Sequence, residues 1–285
     1  MNITPVTNHR EREKGCVVYP VYSRRSEGLS IGINLFPDKK KCLFDCPYCE
    51  VFPFSANAEF DLKQMEDDLR YAVASAQKGK IIIRDICFSG NGEPTLSPSF
   101  PYALESAEKI RAETAPESKL VVITNGTGLL QPRIFSLLKN AALCVSGSSP
   151  TFDIWLKLDA GTDSWYQKIN RCALPREKLL EKIKEFTACA GSCAAHSAPV
   201  TIQTMLCAIN GEKPPKEETA AWEILVRELA ANGNIRKVQL YGKARAAPED
   251  PLASLLPEEY LKDRAASLQS IFKEKEITTP IEIYN

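Results

Sequence analysis

Short apolar runs recur along the chain, each followed by an amphipathic stretch, and this alternation limits the possible folds more than any other feature. Residues 31–36 form a candidate first strand. Residues 80–89 (KIIIRDICFS), 120–124 (LVVIT), 153–158 (DIWLKL), 199–206 and 235–241 form five more. Between the first two, residues 61–78 carry Leu62, Met65, Leu69 and Ala72 at helical spacing, which predicts a helix with one apolar face. Residues 97–112, 132–140, 177–190 and 217–231 are expected as further helices, the third of these with Leu180, Ile183 and Phe186 on one side. Near-continuous apolar strands separated by helices argue for a parallel sheet covered by helices. Six strand–helix units are too few to close an eight-stranded barrel. The expected fold class is therefore α/β, an open, TIM-like partial (β/α)6 barrel. A helix at residues 257–273 and an edge strand at 278–284 would form a C-terminal, mainly helical extension.

In parallel α/β folds, ligands collect at the carboxyl edges of the strands. Just beyond the first strand the chain reads K-C-L-F-D-C-P-Y-C-E, which places Cys42, Cys46 and Cys49 within eight residues at C-x3-C-x2-C spacing. The chain has ten cysteines; with that many in a chain of this length, such a match is expected by chance on the order of 0.01 times. Soft thiolates suit an iron–sulfur cluster. No fourth cysteine lies nearby, so one iron would keep an open position for a ligand. A structural zinc normally takes four protein ligands. The only histidines, His9 and His196, are not at loop spacing. The rival reading is a non-catalytic iron–sulfur electron carrier or a zinc-binding scaffold, which needs a fourth protein ligand and no pocket for a second cofactor.

The cysteine spacing, with Tyr48 before the last cysteine, resembles the defining motif of radical S-adenosylmethionine (SAM) enzymes. The resemblance, closest to short Fe–S oxidoreductases related to wybutosine synthases and to glycyl-radical-activating enzymes, covers roughly residues 28–246. It implies a single domain spanning residues 1–285, with 247–285 as a C-terminal extension. It also implies one [4Fe–4S] cluster on Cys42, Cys46 and Cys49, whose open iron binds SAM. Reductive cleavage of SAM would then yield a 5′-deoxyadenosyl radical that abstracts hydrogen from a substrate. Tyr48 takes the position typically near the adenine.

Further motifs lie at strand ends. Ser89-Gly90-Asn91-Gly92-Glu93 resembles the family's Gly-Gly-Glu element, which holds the SAM amino group, although Asn91 separates the glycines. A plain turn before a helix is the alternative. Asn125 is placed either to bond a ribose hydroxyl or to shape an Asx turn. Alternation puts Trp155, Lys157 and Asp159 on one strand face. Charged groups inside a barrel are costly unless paired or bound to a ligand, so Lys157 and Asp159 are the candidate catalytic pair, or a simple ion pair. Gln203 and Met205, like Gln239 and Tyr241, alternate on interior strands. The two glutamines either line the SAM pocket or satisfy each other.

Cys189 and Cys193 share a helix face. With Cys172 and Cys207 they could ligate an auxiliary cluster, but buried small side chains are the preferred reading, as for Cys16, Cys87 and Cys144. Lys39–Lys41 either docks an acidic electron donor of the flavodoxin or ferredoxin type or is a solvated charge run. Lys plus Arg equals Asp plus Glu, 36 each, which argues against general binding of a polyanion. The substrate class stays open between a small metabolite, a partner protein and an RNA. No apolar run approaches the roughly 20 residues of a membrane span, and the first residues lack the order of a signal peptide. A cytoplasmic location is expected.

Overall fold

The computed structural model describes residues 15–143, 151–190, 199–231 and 235–284, and the chain divides into two compact units. The first takes in the described parts of Met1–Cys42, Val51–Thr124 and Ser149–Asp153. It begins with an antiparallel pair, β1 (Val18–Ser23) and β2 (Gly28–Ile33), and continues in parallel through β3 (Ile83–Phe88) and β4 (Lys119–Thr124). Helix α1 (Leu62–Lys78) starts where Asp61 accepts the Gln64 N–H at 2.7 Å, the expected satisfaction of an orphan helix donor. It buries Met65, Leu69, Ala72, Val73 and Ala76. Its partner α2 (Phe100–Thr114) buries Phe100, Leu104 and Ile110.

The second unit comprises the described parts of Leu43–Glu50, Asn125–Ser148 and Ile154–Asn285. Strand β5 (Phe152–Lys157) begins in the first unit and ends in this one. Beside it run β6 (Val200–Ile209) and β7 (Ile235–Gly242), all parallel, and every residue of β6 is buried. Helices α3 (Pro132–Leu143), α4 (Asp163–Ile169), α5 (Arg176–Ala190) and α6 (Lys216–Ala231) alternate with these strands. The C-terminal extension carries the expected helix, α7 (Glu258–Glu274). It also adds two strands: β8 (Ala253–Leu255) pairs antiparallel with β6, and β9 (Ile281–Tyr284) pairs parallel with β7.

The expected first strand ends earlier than its apolar run suggested, at Ile33. There the Asn34 N–H still donates to Val17 O at 2.8 Å, while its Oδ1 accepts the Phe36 and Asn91 N–H groups and its Nδ2 donates to Cys16 O. Strands β1 and β8 and helix α4 have no counterpart among the elements expected from the sequence.

The turn after β5 is fixed by two buried features. Glu218, on the first turn of α6, accepts the N–H groups of Gly161 (2.5 Å) and Thr162 (2.8 Å) and the Thr162 hydroxyl (2.5 Å). A Cβ on Gly161 would lie 2.1 Å from the backbone N of Trp222, so only glycine allows this approach of the turn to α6. Gly161→Ala is expected to lower stability by about 1–3 kcal/mol, as overpacking does, read as a lower denaturant midpoint. An unchanged midpoint would show that the turn and α6 do not meet this closely.

Candidate functional site

In the first unit the residues that matter surround the end of β3. The Ser89 hydroxyl is bonded to Tyr19 Oη at 2.7 Å. Gly90 and Gly92 take φ +116° and +154°, where side chains are strained. The Lys41 N–H donates to Asn91 O (3.0 Å) and the Glu93 N–H donates to Lys41 O (2.9 Å). A Cβ on Gly92 would sit 1.9 Å from that Lys41 carbonyl. The glycine therefore lets the residue before Cys42 lie against the loop, backbone to backbone. Asn91 is buried, its Nδ2 donating to Phe36 O at 3.0 Å. Glu93 is only 3% exposed. Its Oε1 accepts from Thr95 N (3.3 Å), Thr95 Oγ1 (2.5 Å) and Thr124 Oγ1 (2.7 Å), which ties the ends of β3 and β4 together.

In the second unit the loop bearing Cys46 and Cys49 is held at both ends. Phe44 packs edge-on against Tyr166. The Asp45 N–H donates to Asn170 O at 2.9 Å, and the Cys49 N–H donates to Cys46 O at 3.0 Å. Arg171 reaches Asp45 (3.6 Å) and Glu249 (2.8 Å), while Arg245 pairs with Glu50 at 3.0 Å. Arg171 adopts φ +46°, a left-handed conformation costing a non-glycine residue on the order of 1 kcal/mol. Glycine usually ends a helix this way; here the guanidinium that spans two carboxylates offsets the strain.

Tyr48 is buried and donates its hydroxyl to Asp159 Oδ2. Burial and the neighbouring Asp159 carboxylate push the phenol well above its ordinary pKa, so it remains a donor. The Lys157 Nζ lies 4.7 Å from the Tyr48 ring centroid and donates to Tyr241 Oη at 2.8 Å. Burial alone would lower the Lys157 pKa, but Tyr241, Asp159 and Cys46 outweigh it and raise the value, which keeps the amine cationic. Asp159 also accepts from Asn170 Nδ2 (3.1 Å) and from the Met205 N–H (2.9 Å). The expected pair on β5 is thus brought together at Tyr48, with three donors converging on Asp159. Burial pushes the Cys46 thiol up to about 11, against the lowering effect of Lys157.

Cys42, Cys46 and Cys49 are half-buried. Among the described residues no group of three or more metal-ligating side chains is drawn together. Three soft thiols in that loop fit an iron–sulfur cluster by donor chemistry. Asn125 accepts the Thr127 N–H (3.0 Å) and hydroxyl (2.7 Å), the Asx-turn geometry. Gln203 donates to Gln239 at 2.7 Å within the core. Cys172 and Cys207 are buried; Cys144, Cys193, His9 and His196 lie outside the described residues.

Asn170 and Glu218 were not singled out by sequence. Asn170 follows a seven-residue helix and belongs to no motif. Glu218 reads as an ordinary charge at a helix start, although it points inward.

The sequence model described as the radical SAM superfamily matches residues 39–191 of this chain. Two "UPF0026" proteins from Helicobacter pylori strains are 31% and 30% identical over 168 residues, which is 58% of this chain and 48% of theirs. The matched stretch thus spans about half the length of those curated relatives. Streptococcus suis SuiB bound to precursor peptide SuiA aligns with TM-score 0.62 and 14% identity, over 92% of this chain and 51% of that one. TYW1 with a lysine–pyruvate adduct bound aligns at 0.51 and 16%, over 85% and 73%. HemN, the coproporphyrinogen III oxidase of Escherichia coli, aligns at 0.51 and 10%, over 85% and 54%. At such identities the likeness is one of fold: this chain shares the α/β partial-barrel fold that its strand–helix alternation predicted. No helix among the described residues is long and apolar enough to cross a membrane.

Asp159→Ala strands three buried donors and is expected to cost about 1–3 kcal/mol or more. Tyr48→Phe removes one bond of the three and should cost about 1 kcal/mol. Urea unfolding of both variants checks the order, and equal losses would remove Asp159 from the centre of the network.

Proposed function

The chain belongs to the radical SAM superfamily, and we propose that it is an enzyme using its Cys42–Cys49 loop to abstract hydrogen from a substrate. Superfamily membership brings a [4Fe–4S] cluster on three cysteines, and SAM, as its cofactors. We assign the cluster to Cys42, Cys46 and Cys49. The observation that carries this is the firmly held loop: Lys41 paired to the Gly92 segment at one side, Asp45 and Glu50 clamped by Arg171 and Arg245 at the other.

When bound and reduced by one electron, the two cofactors together supply a 5′-deoxyadenosyl radical. The chain's own residues position and shield. Glu93, with Ser89, Gly90, Asn91 and Gly92, offers a carboxylate and backbone groups to the SAM ammonium, a charge-assisted contact. In the second unit Asn125 would meet the ribose, and Gln203 and Gln239, buried and bonded to each other, are the remaining residues assigned to SAM. Tyr48, its hydroxyl held by Asp159, would lie near the adenine. Lys157, cationic between the Tyr48 and Tyr241 rings, meets an anionic group of SAM or substrate. Asp159, with three donors on it, acts by holding Tyr48. Residues 28–246 form the core of one catalytic domain.

The electron comes from an external flavodoxin- or ferredoxin-like donor, for which the exposed Lys39 and Lys41 offer positive charge. A reducing, cytoplasmic setting, which keeps thiols reduced, suits the three assigned ligand cysteines. The substrate is a small metabolite, a partner protein or an RNA.

Anaerobic protein reconstituted with iron and sulfide, then given dithionite and SAM, is expected to release 5′-deoxyadenosine, measured by chromatography. Cys42→Ala should bring the product to background. Candidate substrates of the three classes are added in turn, and a loaded cluster that yields no product with any of them would sink the enzymatic reading. Glu93→Ala is expected to keep the cluster while weakening SAM binding about tenfold or more, measured by calorimetry; unchanged affinity would exclude Glu93 from the pocket.

A further inference from the structure

The end of α4 sets one buried amide between the Cys46 sulfur and the Asp159 carboxylate. Asn170 is 2% exposed. Its side-chain Nδ2 lies 3.6 Å from Cys46 Sγ and 3.1 Å from Asp159 Oδ2, so its two amide hydrogens can serve both. Its carbonyl accepts the Asp45 N–H at 2.9 Å. The next residue, Arg171, bridges Asp45 and Glu249. One asparagine thus grips the Cys46 side of the loop through main chain and side chain, and the clamp behind it fixes the direction of its amide.

A hydrogen-bond donor aimed at a ligand sulfur stabilises negative charge on that sulfur. Reduction adds one electron to a cluster, and part of that charge falls on the thiolates. The donor therefore favours the reduced state, and hydrogen bonds to sulfur are among the features that set cluster potentials. We propose that Asn170 is a positioning residue that orients the Cys46 thiolate and raises the reduction potential of the cluster. The inference rests on the assignment of Cys46 as a cluster ligand. In the step it governs, a low-potential one-electron donor gives one electron to the cluster, and no bond forms or breaks.

The test uses the full chain, reconstituted anaerobically as wild type, Asn170→Leu and Asn170→Ala. Iron content is measured first, and the potential is then read by dithionite titration followed by electron paramagnetic resonance. The Asn170 variants are expected to load iron but to accept the electron roughly tenfold less readily, a shift of about 59 mV to lower potential for a one-electron couple. A wild-type potential in loaded Asn170→Leu would overturn the inference. If neither Asn170 variant loads, wild-type protein labelled with 15N-asparagine decides: a weak nitrogen coupling to the reduced cluster supports the contact, and its absence overturns it. Wild-type protein that takes up no cluster would instead overturn the Cys46 assignment, and this inference with it.

Discussion

A carboxylate buried in an α/β interior is unfavourable unless its lone pairs find donors, and Asp159 finds three from three different parts of the chain. The Tyr48 hydroxyl comes from the cysteine loop, the Asn170 amide from the end of α4, and the Met205 N–H from the middle of β6. None of these donors would be drawn to a common point by hydrophobic packing alone. Asp159 therefore sets where the loop lies on the sheet, how the Tyr48 ring is turned, and which way the Asn170 amide faces. The cation of Lys157 above the Tyr48 ring belongs to the same arrangement.

Much of this was legible in the sequence because it obeys periodicity. The Ile-rich and Val-rich runs became β3 and β4, and Leu62, Met65, Leu69 and Ala72 marked a helix whose buried face includes three of them. Strand β1 was illegible: Pro20 within it withholds a ladder donor, which sheets tolerate mainly at edges, and β1 pairs with β2 across that proline. Helix α4, at seven residues, is too short for a periodic signal. Period two put Lys157 and Asp159 on one strand face; in the structure β5 ends at Lys157, and Asp159 lies two residues beyond it. Periodicity could not say that they would meet across a tyrosine more than a hundred residues earlier.

The polar residues that escaped notice share a cause. Asn34, Asn170 and Glu218 each bond main-chain groups of a distant segment, and no local pattern records such a partner. Motif reasoning finds side chains that recur at fixed spacing. It does not find those whose work is to satisfy a turn supplied by another part of the chain. The Gly90–Glu93 segment was found because it does both.

The backbone pairing of Lys41 with the Gly92 segment has a consequence for how the sequence can drift. The two hydrogen bonds use only the N–H and C=O of residue 41, so they are blind to its side chain. Any residue but proline, which lacks the donor, would hold the start of the cysteine loop in the same register. Position 41 is thus fixed through its main chain, while its side chain answers to separate contacts, with Asp38 at 3.3 Å and the Phe36 ring. The identity of its side chain can be tuned to whatever meets that surface without moving the cysteine that follows.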